Sequence, residues 1–361
     1  MEYRTACFFL SELTAFSVKK LRQLSEWAGG PEEVFTMAED DLKGFPEPIT
    51  EREAECFRSF RDEALLEERM KDMEALGITY TDESDPLYPK RLNILDDRPF
   101  GLFVKGKLPE ESDRAVAVIG ARRCSLYGRD AARFFAEQFA LAGVNVISGM
   151  ALGADGYAGE GALVRPGRSF AVLAGGPDYC YPRENVRLYG MLSESGGILS
   201  ERPPSYLPTR YDFPLRNRLI SALSDAVVII EATEKSGTLI TADYALMQGK
   251  EVFALPGRVT DRLSEGCLKL IQSGADLLAS PADVLQFLGV SVKKDEKPKE
   301  KVRLDAMEEA VFSLFGPGEE AFDALLDRSL LPVSELSAAL VRLEIKGAIR
   351  KGVFGGYEKT R

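Results

Sequence analysis

Six short runs of mostly β-branched and other apolar residues recur between about residues 114 and 288, and most of them end in glycine. Several are followed by segments with helical spacing, such as GRDAARFFAEQFALAG. Near-continuous apolar strands that alternate with helices predict a parallel sheet covered on both faces. We therefore expect a doubly wound α/β domain. The six runs are AVAVIG, VNVISG, FAVLAGG, GGILSE, AVVIIEA and EVFALPG.

The segments before and after this domain differ from it in composition and in the spacing of their apolar residues. Residues 1–75 show helical spacing broken at Gly-Gly-Pro and Gly-Phe-Pro, which predicts a small helical module. Residues 76–113 are rich in Pro and Asp and are expected to connect the module to the 114–290 domain and to pack along it. Residues 291–303 hold six basic and three acidic residues, which is typical of a solvated linker. Three helical patterns and a hairpin in residues 304–361 predict a winged helix-turn-helix.

Histidine is absent from the 361 residues, and the formal net charge is −11. Without histidine, Ser-His-Asp and Cys-His mechanisms are excluded, and the commonest metal ligand is missing. The acidic balance does not indicate nucleic-acid binding over the whole surface. A local basic groove is nevertheless compatible with it, because net charge is only a mean.

Five dispersed cysteines without a CxxC pair predict reduced thiols rather than a disulfide framework or a zinc site. No apolar run approaches the roughly 18 residues that a membrane helix needs. The amino-terminal residues have no basic leader before their apolar patch. We expect a cytoplasmic protein that does not bind a membrane and holds neither a cofactor nor a metal.

Glycine-rich segments follow four of the predicted strands, where open parallel sheets bind their ligands. Backbone N–H groups can approach an anion closely at such turns, and the helix that follows adds its positive dipole. Lys235 and Arg122 would supply full charges. These features predict an anion site. The segments are GARR (120–123), SGMALGAD (148–155), AGG (174–176) and EATEKSGTLITA (231–242).

The class of anion is narrowed by motifs that are missing. The Walker A sequence GxxxxGK[ST] is absent, which disfavours nucleoside triphosphate hydrolysis. The first turn is not GxGxxG, and no acidic residue ends the second strand, which disfavours an NAD-linked oxidoreductase.

The segment FPLRNRLISALSDA adds Arg216, Asn217 and Arg218 just before a predicted strand. Basic residues from several points in the chain, interleaved with aromatic residues, are typical of single-stranded nucleic-acid binding. The competing interpretation is that Arg216 and Arg218 pair with carboxylates. The aromatic candidates are Tyr127, Tyr181 and Phe213.

The order and spacing of these segments resemble those of the DNA-processing protein A family, DprA, also called Smf. The matching segments include AVAVIGARRCSLYG, VISGMALGADGYAGEGAL, AVLAGGPDYCYPREN, LSERPP, FPLRNRLISALSDAVVIIEATEKSGTLITADYALMQGKEVFALPG and GCLKLIQSGADLL. The resemblance implies an extended Rossmann core, preceded by a SAM-like or helix-hairpin-helix module and followed in many members by a winged helix. It also implies a cytosolic homodimer that binds single-stranded DNA without sequence preference. Such proteins load the RecA recombinase in natural transformation or recombination.

The resemblance also implies a phosphate pocket. Four departures from the family pattern accompany it: Ala121 stands where serine is usual, Leu152 where arginine is frequent, Leu268 where asparagine is common, and the helix near Gly159 lacks the histidine that the family often has. One cation fewer predicts weaker DNA binding, by about one unit or less in the log–log salt slope. The pocket residues implied are Gly120, Arg122, Gly149, Gly153, Asp155, Asn217, Arg218, Lys235, Ser236, Gly237 and Thr238.

Two other classes of function are weighed against a single-strand binder. Lysine-decarboxylase-like nucleotide phosphoribohydrolases have the pattern PGGxGTxxE, in which the glutamate assists the chemistry. Here the third residue after Thr238 is Thr241, so that carboxylate is missing. Only Asp155 and Glu231 would be available as acid or base. An adaptor or regulator would instead bind duplex DNA through its winged helix. We favour a binder without catalytic activity, whose loop 235–238 cradles a backbone phosphate. The cations that a duplex-binding winged helix would use lie in its last helix and just after it: Arg342, Lys346, Arg350 and Lys351.

Overall fold

The structure is a computed structural model that describes residues 2–290, 304–316, 318–352 and 356–359. The chain forms two compact units, Met1–Val292 and Lys293–Arg361. The predicted linker, residues 291–303, lies outside the described residues. None of the helices in the described ranges is long and apolar enough to cross a membrane.

Five helices form the amino-terminal part of the first unit. Ser17 and Thr50 accept backbone N–H groups at the starts of the second and fourth helices, which satisfies donors that have no partner within the helix. The buried ring of Phe8 meets Tyr80 of the first strand edge-on, with ring centroids 5.2 Å apart. An aromatic core therefore attaches these helices to the sheet. Their bounds are α1 Tyr3–Glu12, α2 Val18–Ala28, α3 Pro31–Thr36, α4 Glu51–Phe60 and α5 Glu63–Ala75.

One nine-stranded sheet organises the rest of this unit, in the order β1-β2-β6-β5-β4-β3-β7-β8-β9. From β6 to β9 all neighbouring strands are parallel. The order reverses beside β3, from which β4, β5 and β6 extend to one side and β7, β8 and β9 to the other. This confirms the doubly wound α/β class. The strands are β1 Ile78–Asp82, β2 Gly101–Gly106, β3 Ala115–Ile119, β4 Asn145–Ser148, β5 Ser169–Val172, β6 Gly197–Ser200, β7 Ala226–Ile229, β8 Glu251–Ala254 and β9 Asp276–Leu277.

The segment 76–113 differs from the simple connection that its composition predicts, because it contains β1 and β2. Both strands are antiparallel and extend the sheet beyond β6, with Tyr80 opposite Phe103 and Phe103 opposite Ser200. Each strand is short, and prolines and aspartates surround them. The apolar run Leu102–Val104 is buried between the α1–α5 core and the main sheet, which explains its strand conformation.

Seven helices cover the two faces of the sheet. Successive residues of β3 point to opposite faces: Val116 and Val118 pack with α6, α7 and α12, whereas Ala117 and Ile119 pack with α9, α10 and α11. Both faces of the sheet are therefore buried from solvent, as continuous apolar strands require. The helices are α6 Leu126–Leu141, α7 Ala154–Ala162, α8 Val186–Ser195, α9 Asp212–Ala222, α10 Gly237–Met247, α11 Glu265–Gln272 and α12 Pro281–Phe287.

The second unit has its own apolar core, which includes Val311, Leu325 and Leu340. Its described residues form three helices followed by a two-stranded antiparallel sheet, in agreement with the predicted winged helix. The elements are α13 Ala306–Ser313, α14 Phe322–Ser329, α15 Val333–Ile345, β10 Ile349–Lys351 and β11 Tyr357–Lys359.

Glu83, just after β1, binds groups from α1, α2 and the segment before β2. Its carboxylate accepts a hydrogen bond of 2.6 Å from the Tyr3 hydroxyl and lies 2.9 Å from Arg22 and 3.1 Å from Arg98. Burial acts to raise the pKa of Glu83, but the hydrogen bonds from Arg22 and Tyr3 outweigh it and hold the pKa below its ordinary value of 4.5. The ionised form therefore stabilises the attachment of the helices.

Glu83→Gln is expected to lower the free energy of unfolding by about 2 kcal/mol at neutral pH, because it removes charged hydrogen bonds. A carboxyl with a depressed pKa stabilises the fold above its unfolded pKa, and the contribution is lost as pH falls through the folded pKa. The difference in Tm between wild type and variant should therefore shrink from pH 7 to pH 3. Glu194→Gln, at an exposed site on α8, is the control. An equal difference at both pH values would contradict this role of Glu83.

Candidate nucleic-acid interface

A cleft of about 740 Å³ opens at the carboxyl ends of the parallel strands, where the strand order reverses. Its walls come from the turn after β3, the loop between β7 and α10, and the amino-terminal half of α9. Of the predicted site residues, seven line it: Gly120, Arg122, Asp155, Asn217, Ser236, Gly237 and Thr238.

Gly120 allows the turn after β3 to pack closely against two neighbouring segments. A Cβ at this position would lie 2.8 Å from the Cβ of Ala154 and 3.2 Å from the backbone nitrogen of Glu231. The chain then turns outward, and Arg122 is exposed at the cleft. Its guanidinium lies 5.4 Å from the ring centroid of Phe213 and makes no ion pair with any described residue. Arg122 is therefore available to an anion.

Gly149 and Gly153 lie behind the cleft rather than on its surface. Gly153 has φ of +75°, and a Cβ there would lie 2.2 Å from the carbonyl oxygen of Ala121. The backbone N–H of Ala154 donates to the same carbonyl at 3.2 Å. The loop after β4 thus supports the first turn by direct backbone contact.

Asp155, in the first turn of α7, binds both glycine turns at once. Its two carboxylate oxygens accept the backbone N–H of Gly149 at 2.8 Å and of Gly120 at 3.3 Å. Burial raises the pKa of Asp155 above its ordinary value of 3.8, against the opposing charge of Arg216 and these N–H groups. The carboxylate holds the loops together and has the role of a structural acceptor.

The loop before α10 presents a helix amino terminus to the cleft. Ser236 is the N-cap, and its hydroxyl accepts the backbone N–H of Thr238 at 3.2 Å. Ser236, Gly237 and Thr238 line the cleft, and a Cβ at Gly237 would meet open space. Lys235 is exposed one residue before this lining. The loop combines a positive helix dipole with two hydroxyl groups, which suits an anion.

Arg216 and Arg218, two residues apart on α9, have different surroundings. Arg218 donates to Glu201 at 2.7 Å and to Asp97 at 2.8 Å, and it is buried away from the cleft. The placement of Arg218 at the rim of the pocket is therefore corrected: its guanidinium joins α9 to the end of β6 and to the segment before β2. Positions two apart on a helix do not share a face, which explains the contrast.

Arg216 is the arginine of this pair that lines the cleft. Its Nη1 donates to the carbonyl of Gly149 at 3.1 Å and to that of Val172, and its guanidinium makes no ion pair with any described residue. Burial lowers the pKa of Arg216 to about 10, although the charge of Asp155 acts to raise it, and the smaller effect of Arg122 acts to lower it further. Arg122 and Arg216 thus bring two positive charges to one cleft, which favours an anionic ligand there.

Sequence reasoning missed Arg123 and Arg210, which also line the cleft. Arg123 immediately follows Arg122, so its position in the GARR turn was the available signal. Arg210 precedes α9 and is exposed, with its guanidinium 4.7 Å from the ring centroid of Tyr211. No sequence pattern distinguishes it from a solvated loop arginine.

Of the aromatic candidates, Tyr181 and Phe213 line the cleft, whereas Tyr127 does not and instead donates its hydroxyl to the carbonyl of Pro256 at 3.0 Å. Among the departures from the family pattern, Ala121 lines the cleft and Leu152 does not.

Glu231, at the end of β7, accepts the backbone N–H of Ser125 at 2.8 Å and the Ser125 hydroxyl at 2.5 Å. Ser125 is in turn the N-cap of α6, where it accepts the N–H of Gly128. A Cβ at Gly128 would lie 2.3 Å from the carboxylate, so the contact requires glycine at this position. Glu231 therefore couples β7 to α6 and does not line the cleft.

Arg218→Ala is expected to lower the free energy of unfolding by about 3 kcal/mol or more, because it leaves the buried carboxylate of Glu201 without its partner. Urea unfolding of the wild type and variant measures the change. Arg165→Ala removes an exposed arginine from the loop before β5 and should change stability by less than about 0.5 kcal/mol. Equal midpoints for Arg218→Ala and wild type would restore Arg218 as a candidate ligand.

Comparison with known proteins agrees with this architecture. The family model "DNA recombination-mediator protein A" matches residues 79–289, and the "DprA winged helix domain" matches residues 295–352. Protein Smf of Escherichia coli strain K12 is 38% identical over 321 residues, which are 87% of this chain and 85% of that protein.

Two solved structures are similar to this chain. DNA processing protein A from Streptococcus pneumoniae superposes with a TM-score of 0.67 at 30% identity, covering 79% of this chain and 98% of that one. DNA processing protein A from Helicobacter pylori, whose structure concerns its single-stranded DNA binding mode, gives a TM-score of 0.54 at 31% identity, covering 58% and 95%. By these matches, the chain belongs to the DNA recombination-mediator protein A family, known as DprA or Smf.

Proposed function

We propose that this protein binds single-stranded DNA through backbone phosphates in the cleft at the reversal point of the sheet. The observation that carries the proposal is the convergence of Arg122, Arg123 and Arg216 on one cleft, none of them in an ion pair with a described residue. The amino terminus of α10 faces the same space. Cations and a helix dipole at one concave site favour a phosphate.

A polymer suits this cleft better than an isolated anion. The cleft is open to solvent and extends from the β7–α10 loop to the aromatic side chains of Phe213 and Tyr181. Arg210 adds an exposed charge near Phe213. Phosphate contacts combined with aromatic rings are the means by which proteins bind single strands without reading the sequence. The single-strand binding of the Helicobacter pylori relative supports the same proposal.

In this proposal the protein does no covalent chemistry on the DNA. The carboxylates weighed as acid or base are engaged elsewhere, since Asp155 binds two backbone N–H groups and Glu231 binds Ser125. Among the residues that the structure describes, no specific contact favours a nucleotide hydrolase over a binder.

The winged helix is proposed to have a structural or partner-binding role rather than to read duplex DNA. Arg342 on α15 and Lys346, just after its end, lie 3.5 Å and 2.5 Å from the buried carboxylate of Glu308 on α13. Arg350 pairs with Glu358 at 2.7 Å. Cations engaged in this way contribute less to phosphate binding than free ones.

We expect wild type to bind a labelled oligo-dT of about 20 nucleotides, longer than a typical single-strand site. Arg122→Ala should weaken this binding about tenfold at moderate salt and reduce the log–log salt slope by about 0.7, because one phosphate contact is lost. Lys235→Ala tests the adjacent loop in the same way. Fluorescence anisotropy across several salt concentrations provides the measurement.

Arg165→Ala is the matched control, since it removes the same charge at the amino-terminal edge of the sheet, away from the cleft. Unlabelled duplex DNA and AMP serve as competitors. If wild type binds no oligo-dT, or if micromolar AMP displaces it, the DNA proposal is wrong, and a mononucleotide becomes the favoured ligand.

Membership in the family leads us to propose, in addition, a cytoplasmic homodimer that loads the RecA recombinase in natural transformation or recombination. Wild type should shorten the lag with which RecA hydrolyses ATP on single-stranded DNA already covered by single-strand-binding protein, and Arg122→Ala should shorten it less. Light scattering should give twice the chain mass of 39.7 kDa. If wild type binds oligo-dT but leaves this lag unchanged, the RecA proposal is wrong and the DNA-binding proposal stands.

A further inference from the structure

Tyr181 presents an aromatic ring to the cleft from the side opposite the β7–α10 loop. It follows β5 in the chain, is 44% exposed and belongs to the cleft lining. Tyr179 lies beside it with ring centroids 6.4 Å apart and an angle of 17° between the ring planes. The near-parallel neighbour supports the Tyr181 ring while leaving much of it exposed.

Hydrogen bonds hold the loop that carries these rings. The Tyr189 hydroxyl of α8 donates to the carbonyl of Pro177 at 2.6 Å, and the N–H of Tyr179 donates to Gly176 at 3.1 Å. Asp178 accepts the N–H of Ser205 at 2.9 Å from the neighbouring loop. A ring on a loop that is anchored at two points and braced by one internal hydrogen bond loses little conformational freedom when a ligand stacks on it.

Phe213 lies between the basic and aromatic parts of the cleft. The Arg122 guanidinium is 5.4 Å from its centroid, and the Tyr181 ring is 5.4 Å away at an angle of 48°. Phe213 is therefore less open than Tyr181, and only partly exposed. Of the two aromatic rings lining the cleft, Tyr181 offers the more accessible surface to a planar group.

The sheet sets the distance between the two ends of the cleft. In strand order β3 and β4 separate β7 from β5, which places their carboxyl ends about 14 Å apart. That span exceeds a single phosphate group. A chain of nucleotides that contacts the β7–α10 loop with its backbone can therefore reach Tyr181 with a base.

We propose that Tyr181, supported by Tyr179, is a base-stacking position for single-stranded DNA, so that the strand crosses the carboxyl edge of the sheet from the α10 amino terminus to the loop after β5. This rests on the proposed function and extends it, because it places a base, and not only phosphates, in the cleft. Stacking on an aromatic face accepts every base, so it adds affinity without sequence preference.

The test compares oligo-dT with an abasic oligonucleotide of the same length, which keeps the phosphates and lacks the bases. Wild type should prefer oligo-dT. Tyr181→Ala should weaken binding of oligo-dT by about tenfold and leave binding of the abasic strand unchanged, because one stacked base is lost. Tyr181→Phe keeps the ring and should bind as wild type does. Phe134→Ala, which removes an aromatic ring 49% exposed on α6, is the control.

The outcomes separate the two proposals. If wild type binds neither strand, the proposed function is wrong and the base-stacking position is wrong with it. If wild type binds both strands and Tyr181→Ala binds oligo-dT equally well, only the base-stacking position is wrong. A loss of affinity that is equal for both strands would also overturn it, because Tyr181 would then act on the shape of the cleft and not on a base.

Discussion

The carboxylate of Asp155 is the contact on which the arrangement of the cleft depends. It accepts backbone N–H groups from the ends of two adjacent parallel strands, at Gly120 and Gly149. Each glycine lacks space for a side chain: a Cβ at Gly149 would lie 2.9 Å from Asp155 and 2.6 Å from Arg216. One buried negative group thus sets the positions of both turns and lies beside the buried Arg216. The cleft can present cations at its surface because a carboxylate beneath it partly balances them.

The two arginines of α9 show how a short sequence serves two purposes. Arg218 is neutralised by carboxylates and ties the helix to the antiparallel side of the sheet. Arg216 donates only to backbone carbonyls and to the side chain of Asn217, so that only the nearby buried Asp155 balances part of its charge. Burying a cation in this way costs stability, which a bound phosphate would restore. A site that is destabilised when empty is a common property of binding sites.

The fold was largely predictable because the parallel strands are buried on both faces and read as unbroken apolar runs. All six runs form strands, and the glycine turns that follow β3, β4 and β7 meet at one edge. Strands β1, β2 and β9 were not predicted, since the first two lie among prolines and aspartates and β9 has two residues. The error over Arg218 has a physical cause. Its partners are 17 and 121 residues away in sequence, so neither spacing nor composition could pair them.

The antiparallel strand β2 has a consequence for how the part of this chain that carries the cleft can be isolated. A fragment that begins at residue 114, where the run of parallel strands starts, would lose β1 and β2 and leave one side of β6 without a partner. An unpaired strand edge is a template for intermolecular pairing, and the apolar surface beneath Leu102 and Val104 would be exposed with it. The smallest well-behaved fragment therefore begins before Ile78. The helices α1–α5 pack on β1 and β2, which belong to the same sheet as the strands that carry the cleft. The two parts therefore cannot be separated at residue 114, where the composition of the sequence changes.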